Sequence, residues 1–327
     1  MKYYSPLTRM LLSEKDGKLV TDDLSESYDV LDGGIIDFIG CDSNSYKELS
    51  NNELYGSTEL IIRYDNFLNW LFRTFQTDPA QFRKDNAVKL EINKGSKVLV
   101  TGCGLGDDIG EILKIVGGSG EVYAQDLSKE MVLEARRRVQ NNNVFFSISD
   151  ASFLPFEDSS FDACFHFGGI NLFSDIEGAI NEMLRVTKPN SIVMFGDESV
   201  APWHRGTDYG KAMIKNNSLW SAEPPLDLIP NGIKDFSLNY VLGDCFYMIK
   251  MRTRKDDNDL ANIDIPHIGL RGGTIRTRYY GDIEGIDPIL REKLIEYSTN
   301  NNLQVSEVIE KGISEYIKDL KHGKQKN

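Results

Sequence analysis

The chain has 327 residues, 50 acidic against 37 basic, a net charge of −13 and 40% hydrophobic side chains. A field of that sign argues against nucleic acid as the main partner, and no apolar run is long enough for a membrane span. Cys41, Cys103, Cys164 and Cys245 lie too far apart for a zinc knuckle or a disulfide scaffold, and the N-terminus carries no apolar leader, so a reducing, cytoplasmic setting without a structural metal is expected.

Residues 1–50 read as a small β-rich unit. Asp16-Gly17 marks a turn, Lys18-Leu19-Val20 a short strand, and a segment from Ser27 to Phe38 follows, with Asp32-Gly33-Gly34 inside it. This ordering resembles the ending of the small Trm112-like zinc-ribbon domain. The resemblance implies a metal-free version, because no cysteine precedes Cys41, and a unit of this size then depends on packing against a larger neighbour. An unrelated β-rich arm is the alternative. Residues 42–52, rich in serine and asparagine, read as a linker.

From Glu59 to Phe75 the apolar residues fall at helical spacing: Leu60, Ile61, Tyr64, Phe67, Leu68, Leu71, Phe72 and Phe75. Packing on a sheet accounts for most of these aromatics. The stretch Lys97-Val98-Leu99-Val100 then reads as a buried strand, Thr101 to Gly106 holds three glycines, and Ile109, Ile112, Leu113 and Val116 begin a helix. Strand, glycine turn and helix together bring backbone N–H groups close to a ligand at a helix N-terminus. Gly102, Cys103, Gly104 and Gly106 are the turn candidates. A phosphate-binding dinucleotide loop has the same geometry, but Asp107 and Asp108 would repel a pyrophosphate and would suit a cation. Asp126, about 20 residues on, ends a second strand (Val122–Asp126) where a carboxylate can accept bonds from ribose hydroxyls.

Alternation continues. A helix is expected over Met131–Val139, strands over Val144–Ile148, Phe161–Phe167 and Ser191–Asp197, a helix over Ile176–Leu184, another over 206–216, and a closing hairpin from Ser237–Asn239 and Cys245–Met251. Such a pattern predicts an open, Rossmann-like α/β sheet with its ligands at the C-terminal strand ends.

The ordered series from the glycine turn through Gln125-Asp126-Leu127, Ser149-Asp150-Ala151, Leu154-Pro155-Phe156, Phe161-Asp162-Ala163 and Glu182-Met183-Leu184-Arg185-Val186 resembles the class I S-adenosylmethionine-dependent methyltransferases. The branch is the ubiquinone/menaquinone-biosynthesis-like one (methyltransferase type 11), and the resemblance covers roughly residues 60–252. It implies a seven-stranded sheet in a methyltransferase domain spanning 53–252, with S-adenosyl-L-methionine as cofactor. It further implies donor roles for Tyr64, Gly102, Cys103, Gly104, Gly106, Asp107, Asp126, Leu127, Met131, Asp150, Ala151 and Phe165. Methyl transfer to a small-molecule acceptor, anionic or aromatic, is the expected activity. A non-catalytic donor-binding scaffold, a protein or RNA methyltransferase and a nicotinamide oxidoreductase are the alternatives.

His166, with an ordinary pKa near the operating range, and His204 are the base candidates, each set against a packed or surface histidine. Trp203 and Arg205 follow the fifth strand, on a loop expected to line an acceptor pocket. Residues 254–327 lie beyond the sheet and are read as a lid or a homodimerisation element. Within them His267, Arg271, Arg276 and Arg278 would suit an anion, and Tyr279 and Tyr280 an aromatic wall; arginines pairing with the abundant carboxylates is the other reading. Two helices are expected over 288–320, the second capped by Ser306, with a possible strand at Thr274–Tyr279, an ending faintly similar to the ribbon-helix-helix fold. Residues 322–327 read as a disordered tail.

Overall fold

The computed structural model describes residues 2–39, 58–254, 261–268, 273–280 and 287–323. The expected linker at 42–52, Arg271 and the last four residues of the expected tail lie outside them. The chain divides into two compact units, Met1–Asp257 and Asn258–Asn327.

Among the described residues the first unit is built on one eleven-stranded sheet in the order β1-β2-β3-β4-β7-β6-β5-β8-β9-β11-β10. The central five strands are β5 (Lys97–Thr101), β6 (Glu121–Asp126), β7 (Val144–Ile148), β8 (Phe161–Phe167) and β9 (Thr187–Glu198), all parallel to one another. Val98, Leu99 and Val100 are buried in succession, because helices cover both sides of a parallel sheet. β11 (Phe246–Thr253) lies antiparallel between β9 and β10 (Ile233–Val241), closing the sheet with the expected hairpin.

Alternate residues feed two core layers. On one face Val98, Val100, Ala124, Phe165 and Met194 pack with Ile109, Ile112 and Val116 of α3 (Ile109–Val116) and Val132 and Ala135 of α4 (Lys129–Arg138). On the other, Leu99, Tyr123, Cys164, Phe195 and Tyr247 pack with Ile180, Met183 and Val186 of α5 (Ile176–Val186). A third cluster joins α1 (Thr58–Thr74) to the hairpin through Leu71, Phe72, Trp220, Leu242 and Phe246. The α1 aromatics therefore do pack the helix onto the sheet.

The N-terminal strands do not stand apart as a separate barrel. β1 (Leu12–Lys15), β2 (Lys18–Thr21), β3 (Ser27–Leu31) and β4 (Ile35–Asp37) form an antiparallel meander, and β4 adds to the main sheet in parallel with β7. Leu12, Tyr28, Ile36 and Phe38 fill its small core, and Tyr3 packs between Phe38 and Phe156.

Two elements differ from the sequence reading. Helix α2 (Pro79–Lys89) was not anticipated, although Asp78 caps it by accepting from Gln81 N–H at 2.7 Å and Pro79 starts it. In the second unit the expected strand at Thr274–Tyr279 is instead the helix α8 (Ile275–Tyr280). Thr274 Oγ1 accepts from Thr277 N–H at 3.0 Å while Thr277 Oγ1 accepts from Thr274 N–H at 2.8 Å. That reciprocal cap holds a helical turn where β-branched and aromatic side chains favour a strand. Helices α9 (Pro288–Asn301) and α10 (Val305–Gly323) follow as expected. Ser306 lies inside α10 rather than capping it; Glu307 reaches back to accept from Gln304 N–H at 3.0 Å. Among the described residues no helix is long and apolar enough to cross a membrane.

Candidate donor and acceptor site

Strand order reverses between β5 and β8, and at such a switch point the diverging loops leave a crevice beyond the C-terminal strand ends. The glycine turn sits there. Gly102 and Gly104 adopt φ of 56° and 51°, a left-handed backbone that side chains disfavour. A Cβ at Gly102 would lie 2.7 Å from His166 Cε1, and one at Gly104 would lie 3.4 Å from the Tyr64 hydroxyl. The turn is thus seated between a histidine from β8 and a tyrosine from α1. Cys103 is buried, with its N–H donating to Gln125 O at 2.9 Å, and burial pushes its thiol pKa well up.

Asp126 is held from both sides. Gly104 N–H donates to Oδ2 and Ser128 N–H to Oδ1, each at 2.9 Å. Burial raises its pKa, while those backbone donors pull the other way. Ser128 also caps α4, accepting from Met131 N–H at 3.3 Å. Leu127 is half-buried beside it and Met131 is buried. After β7, Asp150 accepts from Ser152 N–H at 2.7 Å and is half-buried, and Ala151 is buried.

The acidic pair at the start of α3 has a partner that sequence reasoning missed. Arg83, on the unanticipated α2, approaches Asp107 at 3.4 Å and lies 5.4 Å from the Phe72 ring centroid. Burial raises the Asp108 carboxyl to about 6, against the opposing pull of Arg83 and with added repulsion from Asp107. Tyr64 is also pushed up, by burial and then by the field of Asp107, Asp108 and Asp126. Tyr64, the turn and three carboxylates therefore converge on one crevice. Phe165, expected to face the donor, lies instead in the sheet-helix core.

His166 is completely buried. Its Nδ1 lies 3.0 Å from Thr101 O and 3.2 Å from Thr101 Oγ1, its ring meets Phe173 edge-on at 5.3 Å, and its Nε2 has no partner among the described residues. Burial lowers its pKa, and Asp197 opposes that. Asp197 and Glu198, at the end of β9, were missed as candidates; their place at the C-terminal end of an expected strand was the available signal.

Farther along that edge, α6 (Pro202–Arg205), followed by the expected helix α7 (Asp208–Asn216), carries the remaining acceptor candidates of the first unit. Trp203 is 61% exposed and meets Tyr240 edge-on at 5.1 Å. His204 Nε2 lies 3.1 Å from Asp244 Oδ2. Arg205 is spent on the fold, donating to the carbonyls of Val200, Ser221 and Ala222, to Ser199 Oγ and to Glu223. Arg205 was expected on the loop that lines the acceptor pocket, and these partners occupy its guanidinium.

In the second unit, His267 and Arg278 are exposed, and Arg276 forms a two-pronged pair with Asp264 at 2.6 and 3.2 Å. Arg291 lies over the exposed Tyr279 ring at 5.0 Å, and the backbone of Tyr280 ends α8. Among the described residues no group of three or more His, Cys, Asp or Glu is placed to hold a metal ion.

Residues 98–190 match the methyltransferase domain family. The chain is 33% identical over 132 residues to an uncharacterised 37.1 kDa protein in transposon TN4556 of Streptomyces fradiae, covering 40% of this chain and 38% of that one. It is 32% identical over 117 residues to demethylmenaquinone methyltransferase of Geobacillus sp. (strain WCH70), covering 35% and 50%, and 36% identical over 114 residues to that of Staphylococcus aureus (strain JH9), covering 35% and 47%. The chain thus spans half or less of the length of these curated relatives. Among solved structures, phosphoethanolamine N-methyltransferase 2 of Haemonchus contortus with S-adenosyl-L-methionine superposes with a TM-score of 0.49 at 15% identity, covering 64% of this chain and 60% of that one. The chain is related, at low identity, to the class I S-adenosylmethionine-dependent methyltransferases.

Proposed function

We propose that this chain binds S-adenosyl-L-methionine in the crevice above β5, β6 and β8 and methylates a small molecule there. The observation that carries the reading is the seat around Asp126: a carboxylate oriented by Gly104 and Ser128 N–H groups, beside a glycine turn that Cβ atoms would fill. These residues fit the cofactor. Gly102, Cys103, Gly104 and Gly106 would pass under its amino-acid and sugar portions, Asp126 would accept its ribose hydroxyls, and Leu127 and Met131 would flank the adenine. Asp150 and Ala151 would meet the adenine edge, and Tyr64 would close the crevice from α1. Asp107 and Asp108 favour a cationic ligand over a pyrophosphate, though Arg83 offsets one of the two charges.

The cofactor supplies an already activated methyl group. What remains for the protein is alignment of the acceptor with that group and exclusion of water. Trp203 and Tyr240 would offer an aromatic wall for the acceptor, and His166 or His204 would take a proton from it where the acceptor carries one. With Arg205 committed to backbone carbonyls, an aromatic acceptor is favoured over an anionic one in the first unit. We read β1–β4 as a metal-free relation of the Trm112-like fold, supported by its apolar filling of Leu12, Tyr28, Ile36 and Phe38.

The test is incubation with methyl-labelled S-adenosylmethionine and a panel of small aromatic acceptors. Label transferred to one of them, with S-adenosylhomocysteine released, is the expected result. Binding of the donor with no transfer to any acceptor, small or macromolecular, would favour the scaffold reading.

A further inference from the structure

Helix α2 turns one side inward. Ala87 joins the core cluster with Val98 and Ile192, and Phe82 meets the Phe72 and Phe167 rings at 5.7 and 5.2 Å. Arg83 lies one turn before Ala87 and so on the packed side of the helix, where its side chain is only 19% exposed. The Phe72 ring centroid is 5.4 Å from the guanidinium carbon, and Asp107 Oδ2 is 3.4 Å from one guanidinium nitrogen. Apart from that ion pair and that ring, the guanidinium makes no hydrogen bond among the described residues.

Arginines of similar burial elsewhere in the chain are well supplied. Arg185, 21% exposed, donates to Glu182, Asp158 and the carbonyls of Leu154 and Phe156. Arg252, 18% exposed, donates to Glu91, Asp235 and Asn190 O. A guanidinium drawn out of water with its N–H donors unused costs stability, and a ligand that accepts from it recovers that cost. The shortfall recurs three residues along the same side of α2: Asn86 is 2% exposed, and neither its Oδ1 nor its Nδ2 has a partner among the described residues.

The groups around Arg83 define what could accept from it. The Tyr64 hydroxyl stands 3.4 Å from where a Cβ on Gly104 would lie, and it too has no hydrogen-bond partner among the described residues. The charges of Asp107, Asp108 and Asp126 act on it, opposed by that of Arg83, so these groups surround one volume. Asp126, held by Gly104 N–H, is the ribose end in the reading above, and Asp107 with Arg83 stands at the start of α3. Charges of both signs are side by side there. Two carboxylates would repel a phosphate, and the guanidinium would repel a simple cation. A head group with one anion and one cation on adjoining atoms satisfies both. An α-amino acid is such a group: its carboxylate can take a forked pair from an arginine while its ammonium faces the carboxylates.

We propose that Arg83 is the residue that selects for the amino-acid end of the donor: its guanidinium, stacked on Phe72, and the Tyr64 hydroxyl bind the carboxylate, while Asp107 takes the ammonium. The proposal rests on the donor-binding reading and adds a carboxylate subsite to it. Arg83 and Asp107, which face each other at 3.4 Å, then each turn to the opposite charge on one ligand. The contacts at Asp126 serve any adenosine thioether, whereas the Arg83 subsite responds to the carboxylate alone.

Calorimetric titration of the full chain with three probes tests this without acceptor or turnover. They are S-adenosylhomocysteine, its decarboxylated analogue, which keeps the amine, and methylthioadenosine, which lacks the whole amino-acid end. The native chain should bind S-adenosylhomocysteine roughly ten- to a hundredfold more tightly than the decarboxylated analogue, as expected for one charge-assisted pair. Arg83→Met keeps the length and the apolar contact with Phe72 but removes the charge and the donors. It should weaken S-adenosylhomocysteine by a similar factor, bring it level with the decarboxylated analogue, and leave methylthioadenosine unchanged. Equal native affinity for the first two probes would overturn the proposal. So would an Arg83→Met chain that binds S-adenosylhomocysteine as the native chain does, or one that loses methylthioadenosine to the same extent, which would mark the arginine as merely structural. If Arg83→Met fails to fold, the comparison of probes on the native chain decides alone. Failure of the donor reading itself looks different: the native chain would bind none of the three, and the subsite would fall with it.

Discussion

Asp108 shows how a buried carboxyl can burden the fold. Its carboxyl, raised by burial to about 6, binds protons more tightly in the folded chain than in the unfolded one. Between its ordinary value and about 6 the folded state therefore holds the extra proton, and stability contributed by the neutral form is lost as pH rises through that window. Asp108→Asn should raise the melting temperature at pH 7 and leave it nearly unchanged at pH 4, while weakening the binding of a cationic donor. An equal shift at both pH values would contradict the assignment. Gly102→Ala tests the turn itself: a positive φ and a Cβ at 2.7 Å from the His166 ring should cost about 1–3 kcal/mol of stability and at least tenfold in donor affinity, read by denaturant titration and calorimetry. The glycines, Asp126 and Asp150 were legible because turn geometry and strand ends fix their positions along the chain. Arg83 was not, since it reaches Asp107 only through the packing of α2. Nor were the partners of Arg205, since the carbonyls of Ser221 and Ala222 meet it only through the packing of a later loop.

At the scale of elements, the loop after β7 is tied to two distant segments by a redundant clasp. Arg9, ahead of β1, donates to the carbonyls of Leu154 and Phe156 at 2.8 and 3.0 Å, and Arg185 on α5 donates to the same two at 3.1 and 2.8 Å. The two guanidiniums repel, and burial together with Arg185 lowers the pKa of Arg9. Removing either arginine should therefore cost less than about 1 kcal/mol, because the other still holds the carbonyls. Removing both should cost more than the sum, as a double-mutant cycle in urea would report. Strictly additive losses would show that the arginines act separately. Strands such as Val98–Val100 were readable as apolar runs covered on both faces. The helix at Ile275–Tyr280 was not, because two threonine caps outweigh the strand preference of its side chains. Helix α2 could have been found from Asp78-Pro79, a cap followed by a proline at the first helical position.

For the whole molecule, strand-helix alternation predicted an open α/β sheet and the family resemblance implied its seven strands, whereas the extension by β1–β4 was not anticipated, since parallel pairing of β4 with β7 depends on contacts over a hundred residues apart. The second unit presents an exposed apolar stripe on α10, formed by Ile313, Tyr316, Ile317 and Leu320. We propose that two copies of the chain pair through it; light scattering should give twice the chain mass, and Ile313→Asp with Ile317→Asp should return it to one. A single-chain mass for the native protein would end that proposal. The central claim, that the crevice beside Asp126 receives S-adenosylmethionine, is tested most directly by calorimetric titration with S-adenosylhomocysteine, in the native chain and in Asp126→Ala, with NAD as the control. The account predicts micromolar or tighter binding that is lost in the variant, and no binding of NAD. Binding that is absent from the folded native chain, or that survives unchanged in Asp126→Ala, would contradict it.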